Sequence, residues 1–314
     1  MTSYHWAALM SELQCTACRS FADNPGPKDI ERRRTLRIKR SGLQKYELQD
    51  VDRPAIKFAE NREELEKSFA LVYQVYLQKK FITQPKPHGM LYNMYSLLPK
   101  TMHIIAKSYL QVLSNLSVIP DTPEFGLPMD VIYRPELDEL RKQGKTIVEL
   151  SALATPREHR WKNMFHYLVQ VMYWYCVYMG VDEVCIAINP RHVRYYKGLF
   201  PFQELGPKRH YPMVDAPAIA LWAPVMESMD HMLQICQDLE FDTPLYPYFY
   251  RMTGQAPSND APFLEAEALD AVTNPITIDP EVVRFFINTD QGLLEGVSMK
   301  QKQALNEWYS GLGL

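Results

Sequence analysis

Glycine is scarce in this sequence: 13 residues among 314, against 23 prolines. Loops that cradle phosphate with backbone amides need glycine for close approach. Neither GxGxxG nor GxxxxGK[ST] occurs, so the usual support for a dinucleotide fold or a P-loop is missing, and HExxH is absent as well. An excess of one charge is also lacking. The 34 basic and 37 acidic side chains leave a net charge of −3, which argues against nucleic acid as a partner. Five cysteines, at 15, 18, 176, 185 and 236, are too few and odd in number for a disulfide scaffold, and point to a reducing, cytoplasmic compartment. Cys15 and Cys18 have the spacing of half a zinc or redox site, but no second pair follows, so no metal is assigned. The first residues lack the basic start and apolar stretch of a secretory leader. The most apolar run, 164–180, contains a histidine and a glutamine and falls short of the ~20 apolar residues that span a bilayer. A buried helix feeding a strand is expected there, and no transmembrane segment.

The near-neutral total hides a separation of charge. Residues 1–53 carry 10 basic and 7 acidic groups, and residues 240–314 carry 4 basic and 11 acidic. The chain accordingly divides into a basic arm (1–53), a core (54–240) and an acidic helical extension (241–314). In the core, 55–59 reads as a short strand. Asn61 caps a helix over 62–78, with Leu65, Phe69, Val72, Tyr73 and Tyr76 at helical spacing. Residues 90–98 and 101–110 read as strands or strand-like segments, 111–129 is open, and 135–143 is a short helix closed by Gly144. A strand over 145–153 precedes a long helix begun by Thr155 and Pro156 and ending near Gly180. A short all-apolar strand, 184–188, a helix over 191–199 and strands from 200–205 and 218–223 follow. Strand, long helix, interior strand, helix, strand is an α/β (α+β) pattern: a mixed sheet flanked by helices. Beyond Pro224 helices are expected at 225–239, 262–271, 280–289 and 298–310.

Residues 189–202, NPRHVRYYKGLFPF, are similar to the strand-end asparagine and tyrosine-bearing helix of the GNAT acyltransferase superfamily. With 206–221 (GPKRHYPMVDAPAIAL) and 148–154 (VELSALA), the stretch 54–240 resembles the long-chain N-acyl amino acid synthases, a GNAT branch related to acyl-homoserine-lactone synthases. The resemblance implies transfer of a medium or long acyl group from a phosphopantetheine thioester, on acyl carrier protein or coenzyme A, to the amine of a small molecule. No permanently bound cofactor is implied. It places Glu149 near the acceptor amine and Tyr196, or its neighbour Tyr195, near the leaving thiol. Leu150, Ser151 and Asn189 fall on the donor side. Two features of the family pattern are missing. Ala152 stands where an arginine is usual, and Thr155–Lys162 contains no glycine where a pyrophosphate loop is usual. Arg157, His159 and Arg160 offer cations there for a single phosphate instead.

The residues read the same way chemically. Amide formation needs a neutral amine, a stabilised oxyanion and a protonated leaving thiol. Glu149 faces away from Val148 and Leu150 in an otherwise apolar strand, where a carboxylate is costly without a partner or a task; catalysis and a structural ion pair both remain open. Tyr196 offers a proton donor. Asn189 is open between positioning the donor and simply turning the chain before Pro190. Arg209 and His210 are candidates for meeting the acceptor, and a surface turn serves equally. A binding module without turnover, on the same fold, is the alternative that Ala152 supports.

Overall fold

The computed structural model describes residues 55–82, 85–108, 110–157, 159, 164–226 and 278–314. The strands are Ala55–Phe58 (β1), Met102–Ser108 (β2), Gln111–Pro120 (β3), Ile147–Ala154 (β4), Glu183–Ile188 (β5), Gln203–Tyr211 (β6) and Ala216–Pro224 (β7). They form one sheet in the order β1-β2-β3-β4-β5-β7-β6. All neighbours are antiparallel except β4 and β5, which are parallel. A parallel pair needs a crossover. Here the described part of the crossover is the helix α3, Met164–Tyr178. The other helices are Arg62–Gln78 (α1), Asp130–Lys142 (α2), Val193–Leu199 (α4), Pro280–Thr289 (α5) and Met299–Trp308 (α6).

Period-two alternation gives the sheet two buried faces. Ile104, Leu116, Val118 and Val148 meet Leu168 and Val171 of α3 on one face. On the other, Ile105 meets Leu71, Val72 and Val75 of α1, while Cys185 and Ala220 meet Tyr133 and Leu137 of α2. The fold is thus the expected mixed sheet flanked by helices, with a helical extension. That extension is fastened to α1: Val283, Phe286, Leu305 and Tyr309 share a cluster with Leu65 and Phe69. The Tyr309 hydroxyl donates to the Leu97 carbonyl at 2.6 Å, and the Tyr92 hydroxyl to that of Phe286 at 2.9 Å.

Local signals account for many of the ends. The Asn61 side chain accepts from the Glu64 N–H at 3.0 Å and starts α1 as expected. After α3, Gly180 adopts φ +66°, a left-handed conformation that suits glycine. Elsewhere the structure corrects the sequence reading. Residues 90–98 are not a strand: an irregular segment runs into a 3-10 turn, Met94–Leu97, where Asn93 and Ser96 cap each other reciprocally. Their apolar residues are buried against α1 and α5, so burial imitated a strand pattern. The open stretch 111–129 begins with the longest strand, β3. α2 starts at Asp130, before the expected helix; its backbone breaks at Tyr133, leaving Pro135 in the first turn of the second segment. Thr155 lies before a turn, and the described part of the long helix is Met164–Tyr178. The Thr155 hydroxyl bonds Ser114 Oγ at 2.6 Å, and Pro156 begins a tight turn that His159 N–H closes at 3.1 Å. The helices expected at 225–239 and 262–271, the arm 1–53 and the Cys15–Cys18 pair lie outside the described residues.

Phe286 is fully buried and in ring contact with Phe69 and Tyr92. Phe286→Ala is expected to cost about 3–5 kcal/mol in chemical denaturation; an unchanged midpoint would mean that α5 does not pack on α1.

Candidate functional site

Glu149 sits in β4 between Ile119 of β3 and Cys185 of β5, and is 2% exposed. As the alternation required, it projects to the α1/α2 face, away from Val148 and Leu150. The Met129 N–H donates to its Oε2 at 2.8 Å. Among the described residues no lysine, arginine or histidine pairs with it, so they supply no partner for the structural ion pair left open by the sequence. Burial, with the Asp130 charge nearby and against the Met129 hydrogen bond, raises its pKa from 4.5 to about 8. Glu64, nearly as buried, behaves oppositely. Burial works against its ionisation, but Lys107 at 2.6 Å, the Glu60 N–H and Lys57 outweigh it and hold its pKa below the usual range. One carboxyl is a structural anion and the other a neutral acid at pH 7.

The segment that holds Glu149 is itself held. Arg141 of α2 binds Asp121, Asp130 and Asp138, each at 2.7 Å. Asp130 Oδ2 accepts the Leu127 N–H at 2.7 Å, which fixes the turn that presents Met129. Tyr211 and Tyr95 lie within electrostatic reach of the carboxyl. Tyr211 of β6 is buried and lies within electrostatic reach of Glu149, Tyr95 and Tyr76; burial, more than these neighbours, holds its hydroxyl protonated. Burial likewise raises Tyr76, on α1, to about 12. The sequence reading missed Tyr76 and Tyr95, because only the fold brings α1 and the 94–97 turn to β4.

Beyond Glu149 the parallel strands part. β4 and β5 pair through Leu150 and Ile186 and no further, although β4 continues to Ala154 and β5 to Ile188. On its other side β4 bulges: from Ser151 to Ala154 it advances three residues while β3 advances two, from Ser117 to Asn115. Ala152 occupies the bulge at φ +51°, a conformation that costs a non-glycine residue roughly 1–2 kcal/mol. The Asn115 amide donates to its carbonyl at 2.8 Å. The position lacking the family arginine is therefore a bulge residue.

Tyr196 of α4 packs against the core on the α3 face of the sheet. Its half-buried ring touches Phe165 of α3, Tyr195 and Phe202, and it lies within electrostatic reach of Tyr76 on the other side. Burial raises its pKa, so the hydroxyl keeps its proton; Tyr195, beside it, is raised to about 12. Asn189 ends β5, and its Oδ1 accepts the Arg191 N–H at 3.2 Å, capping the turn that leads into α4. Leu150 is the last β4 residue paired to β5, and Ser151 pairs with Ser117 of β3. Arg157 is exposed and His159 half-buried in the turn after β4; Arg160 lies outside the described residues. Lys79 and Arg191 both stand over the Phe81 ring, at 5.9 and 6.0 Å, adding cations where α1 ends near the turn before α4.

Arg209 and His210 are engaged elsewhere. Arg209 binds both Glu136 carboxylate oxygens, at 2.6 and 2.9 Å, and lies 4.8 Å over the Tyr133 ring. His210, on the exposed face of β6, lies 3.4 Å from Asp215. Cys176 and Cys185 are free and buried, and burial pushes both thiols well above their usual range, which makes them poor nucleophiles. Among the described residues no helix is long and apolar enough to cross a membrane.

The family model for the N-acyl amino acid synthase FeeM matches residues 67–224. The solved structure of FeeM, an N-acyl amino acid synthase from uncultured soil microbes, covers 57% of this chain and 95% of its own at 24% identity, with a TM-score of 0.51. That likeness speaks for the fold. A coenzyme-A-dependent acyl-homoserine lactone synthase, BjaI with MTA, covers 60% of this chain and 92% of its own at 16% identity, with a TM-score of 0.46. No curated protein matches the chain.

The neutral Glu149 couples stability to pH. Unfolded, the carboxyl loses its proton near pH 4.5; folded, it keeps it to about pH 8. Stability therefore falls as pH rises across that window, by up to about 1.4 kcal/mol per unit. Unfolding free energies of parent and Glu149→Gln should converge or cross between pH 5 and 8, the parent losing a few kcal/mol relative to the variant. Parallel curves would show that Glu149 ionises normally.

Proposed function

The chain belongs to the N-acyl amino acid synthase FeeM family of GNAT-fold acyltransferases, and on that premise we propose that it forms amides from thioesters. The donor is a medium or long acyl chain on a phosphopantetheine thiol, carried by acyl carrier protein or coenzyme A. The acceptor is an amino acid or similar small amine. The observation that carries the reading is Glu149: a buried carboxyl without a countercharge among the described residues, its pKa brought to about 8, beside the opening between β4 and β5. At pH 7 about a tenth of such a group is ionised. A base poised near the working pH is suited to taking a proton from an ammonium substrate.

In the proposed reaction Glu149 accepts that proton and the neutral amine attacks the thioester carbonyl. The new C–N bond forms and the C–S bond breaks; the departing sulfur takes a proton from the Tyr196 hydroxyl, and the second proton lost by the attacking nitrogen replaces the one Tyr196 gave. Leu150 and Ser151 mark where the β4 edge becomes free to meet an extended donor arm. Asn189 shapes the start of the turn into α4, and Arg157, His159 and Arg160, joined by Lys79 and Arg191, supply positive charge for a phosphate. Tyr211 and Tyr95, within electrostatic reach of Glu149, form the acceptor wall, and Arg209 and His210 would meet the acceptor only in competition with Glu136 and Asp215. The free thiols Cys176 and Cys185 agree with a cytoplasmic setting. The second reading, a sensor that binds an acyl thioester or lipid without turnover, is favoured by Ala152 in place of the arginine.

Incubation of the protein with acyl carrier thioesters and acyl-coenzyme A of graded chain length, plus amino acids, should give N-acyl products by mass spectrometry. The parent kcat/KM should rise with pH through about 8. Glu149→Gln should lower it roughly 10²- to 10⁴-fold and flatten the profile, and Tyr196→Phe should lower kcat more than it raises KM. Donor binding without product at every chain length would favour the sensor, and parent-like turnover by Glu149→Gln would overturn the assigned base.

A further inference from the structure

A buried polar network runs through the sheet layer beneath α1 and ends on the β4 bulge. Asn115 and Ser68 are both 0% exposed, and Ser117 and His103 are 2% exposed, in a layer otherwise filled by residues such as Ile105 and Val72. Buried polar groups of this kind are costly unless fully paired. Here each has a partner. Ser68 Oγ donates to Asn115 Oδ1 at 2.7 Å, Asn115 Nδ2 lies 2.8 Å from the Ala152 carbonyl and 3.4 Å from Ser117 Oγ, and Ser117 Oγ lies 2.8 Å from His103 Nδ1. His103 Nε2 lies 2.8 Å from the Ser96 carbonyl.

The directions follow from one protonation state. Burial, outweighing the Ser96 hydrogen bond, lowers His103 to about 4, so the ring is neutral. The Ser96 carbonyl can only accept, which puts the single ring proton on Nε2 and leaves Nδ1 to accept the Ser117 hydroxyl. Ser117 then offers only lone pairs to Asn115, so the amide NH₂ must face Ser117 and Ala152 while Oδ1 faces Ser68. The orientation of Asn115 is thus fixed by its neighbours, and its remaining N–H is aimed at one acceptor, the bulge carbonyl. A second tether holds the far end of the bulge: Ser114 Oγ donates to the Ala154 carbonyl at 3.1 Å. Alanine at φ +51° does not favour the bulge by its own conformational preference.

We infer that Asn115 is a positioning residue for acyl transfer: by holding the Ala152 carbonyl it sets the bulge, and with it the β4 edge that faces the donor thioester. This inference rests on the proposed function for its catalytic consequence, while the latch itself is a property of the free protein. Asn115→Asp keeps the acceptor toward Ser68 and removes the donor toward Ala152. Ala152→Gly should make the bulge self-supporting, since glycine takes φ +51° without strain.

The test therefore combines the two substitutions. Amide hydrogen exchange at residues 151–154 should quicken about tenfold or more in Asn115→Asp and return toward parent values when Ala152→Gly is added. With an acyl-coenzyme A donor, Asn115→Asp should lower kcat/KM for donor at least tenfold with the acceptor KM unchanged, and Ala152→Gly should restore most of it. Phe286→Ala, destabilised at a distance, should keep the parent kinetic constants. Parent-like exchange in Asn115→Asp, or a kinetic loss that Ala152→Gly does not relieve, would overturn the inference. If the parent turns over no acyl thioester, the proposed function fails, and the exchange measurement alone decides the latch. Should Asn115→Asp not fold alone, the comparison is made in the Ala152→Gly background, where near-parent exchange and folding are expected; failure to fold there too would refute the latch.

Discussion

The Glu149 carboxyl is held inside the sheet by one hydrogen bond, from the Met129 N–H, and by no countercharge among the described residues. Much around it serves that arrangement. Arg141 gathers three aspartates, one of which fixes the turn that presents Met129, so the charge compensation that Glu149 lacks is spent one step away. The result is a carboxyl that stays neutral at pH values where Glu64, buried to a similar degree but paired with two lysines, is an anion.

The second constraint is the parallel join. A sheet that is antiparallel everywhere else has one parallel pair, and that pair separates just past Glu149. The bulge at Ala152 turns β4 away at the same level, held by side chains of β3 rather than by its own backbone preference. Tyr196, on the helix after β5, and Tyr76, on α1, lie within electrostatic reach of each other. The buried Glu149 carboxyl and a free strand edge thus lie at one opening, built from residues far apart in the chain.

What could be read in the sequence was mostly local. The alternation around VELSAL gave the direction of Glu149, Asn61 gave a helix start, and the apolar run 184–188 gave an interior strand. The motif order along 148–221 gave the family and the mixed sheet. Long-range features were not legible. Residues 90–98 look like a strand because they are buried, but Asn93 and Ser96 turn them into a capped 3-10 segment. Arg209 was, with His210, a candidate for meeting the acceptor, and only the fold shows Glu136 of α2 taking its guanidinium. Nothing in the spacing of Tyr76 distinguishes it from other helix-packing aromatics; its place near Tyr196 and Tyr211 is a tertiary fact.

A neutral buried Glu149 is the premise on which the proposed chemistry stands, and its titration can be observed without substrate. Carbon-13 NMR of the glutamate side-chain carboxyls, with Glu149→Gln to assign the resonance, reads it directly. A midpoint near pH 8 is expected. A midpoint in the ordinary range, near 4.5, would mean that Glu149 is an ionised structural carboxylate at neutral pH and would contradict its role as a poised base.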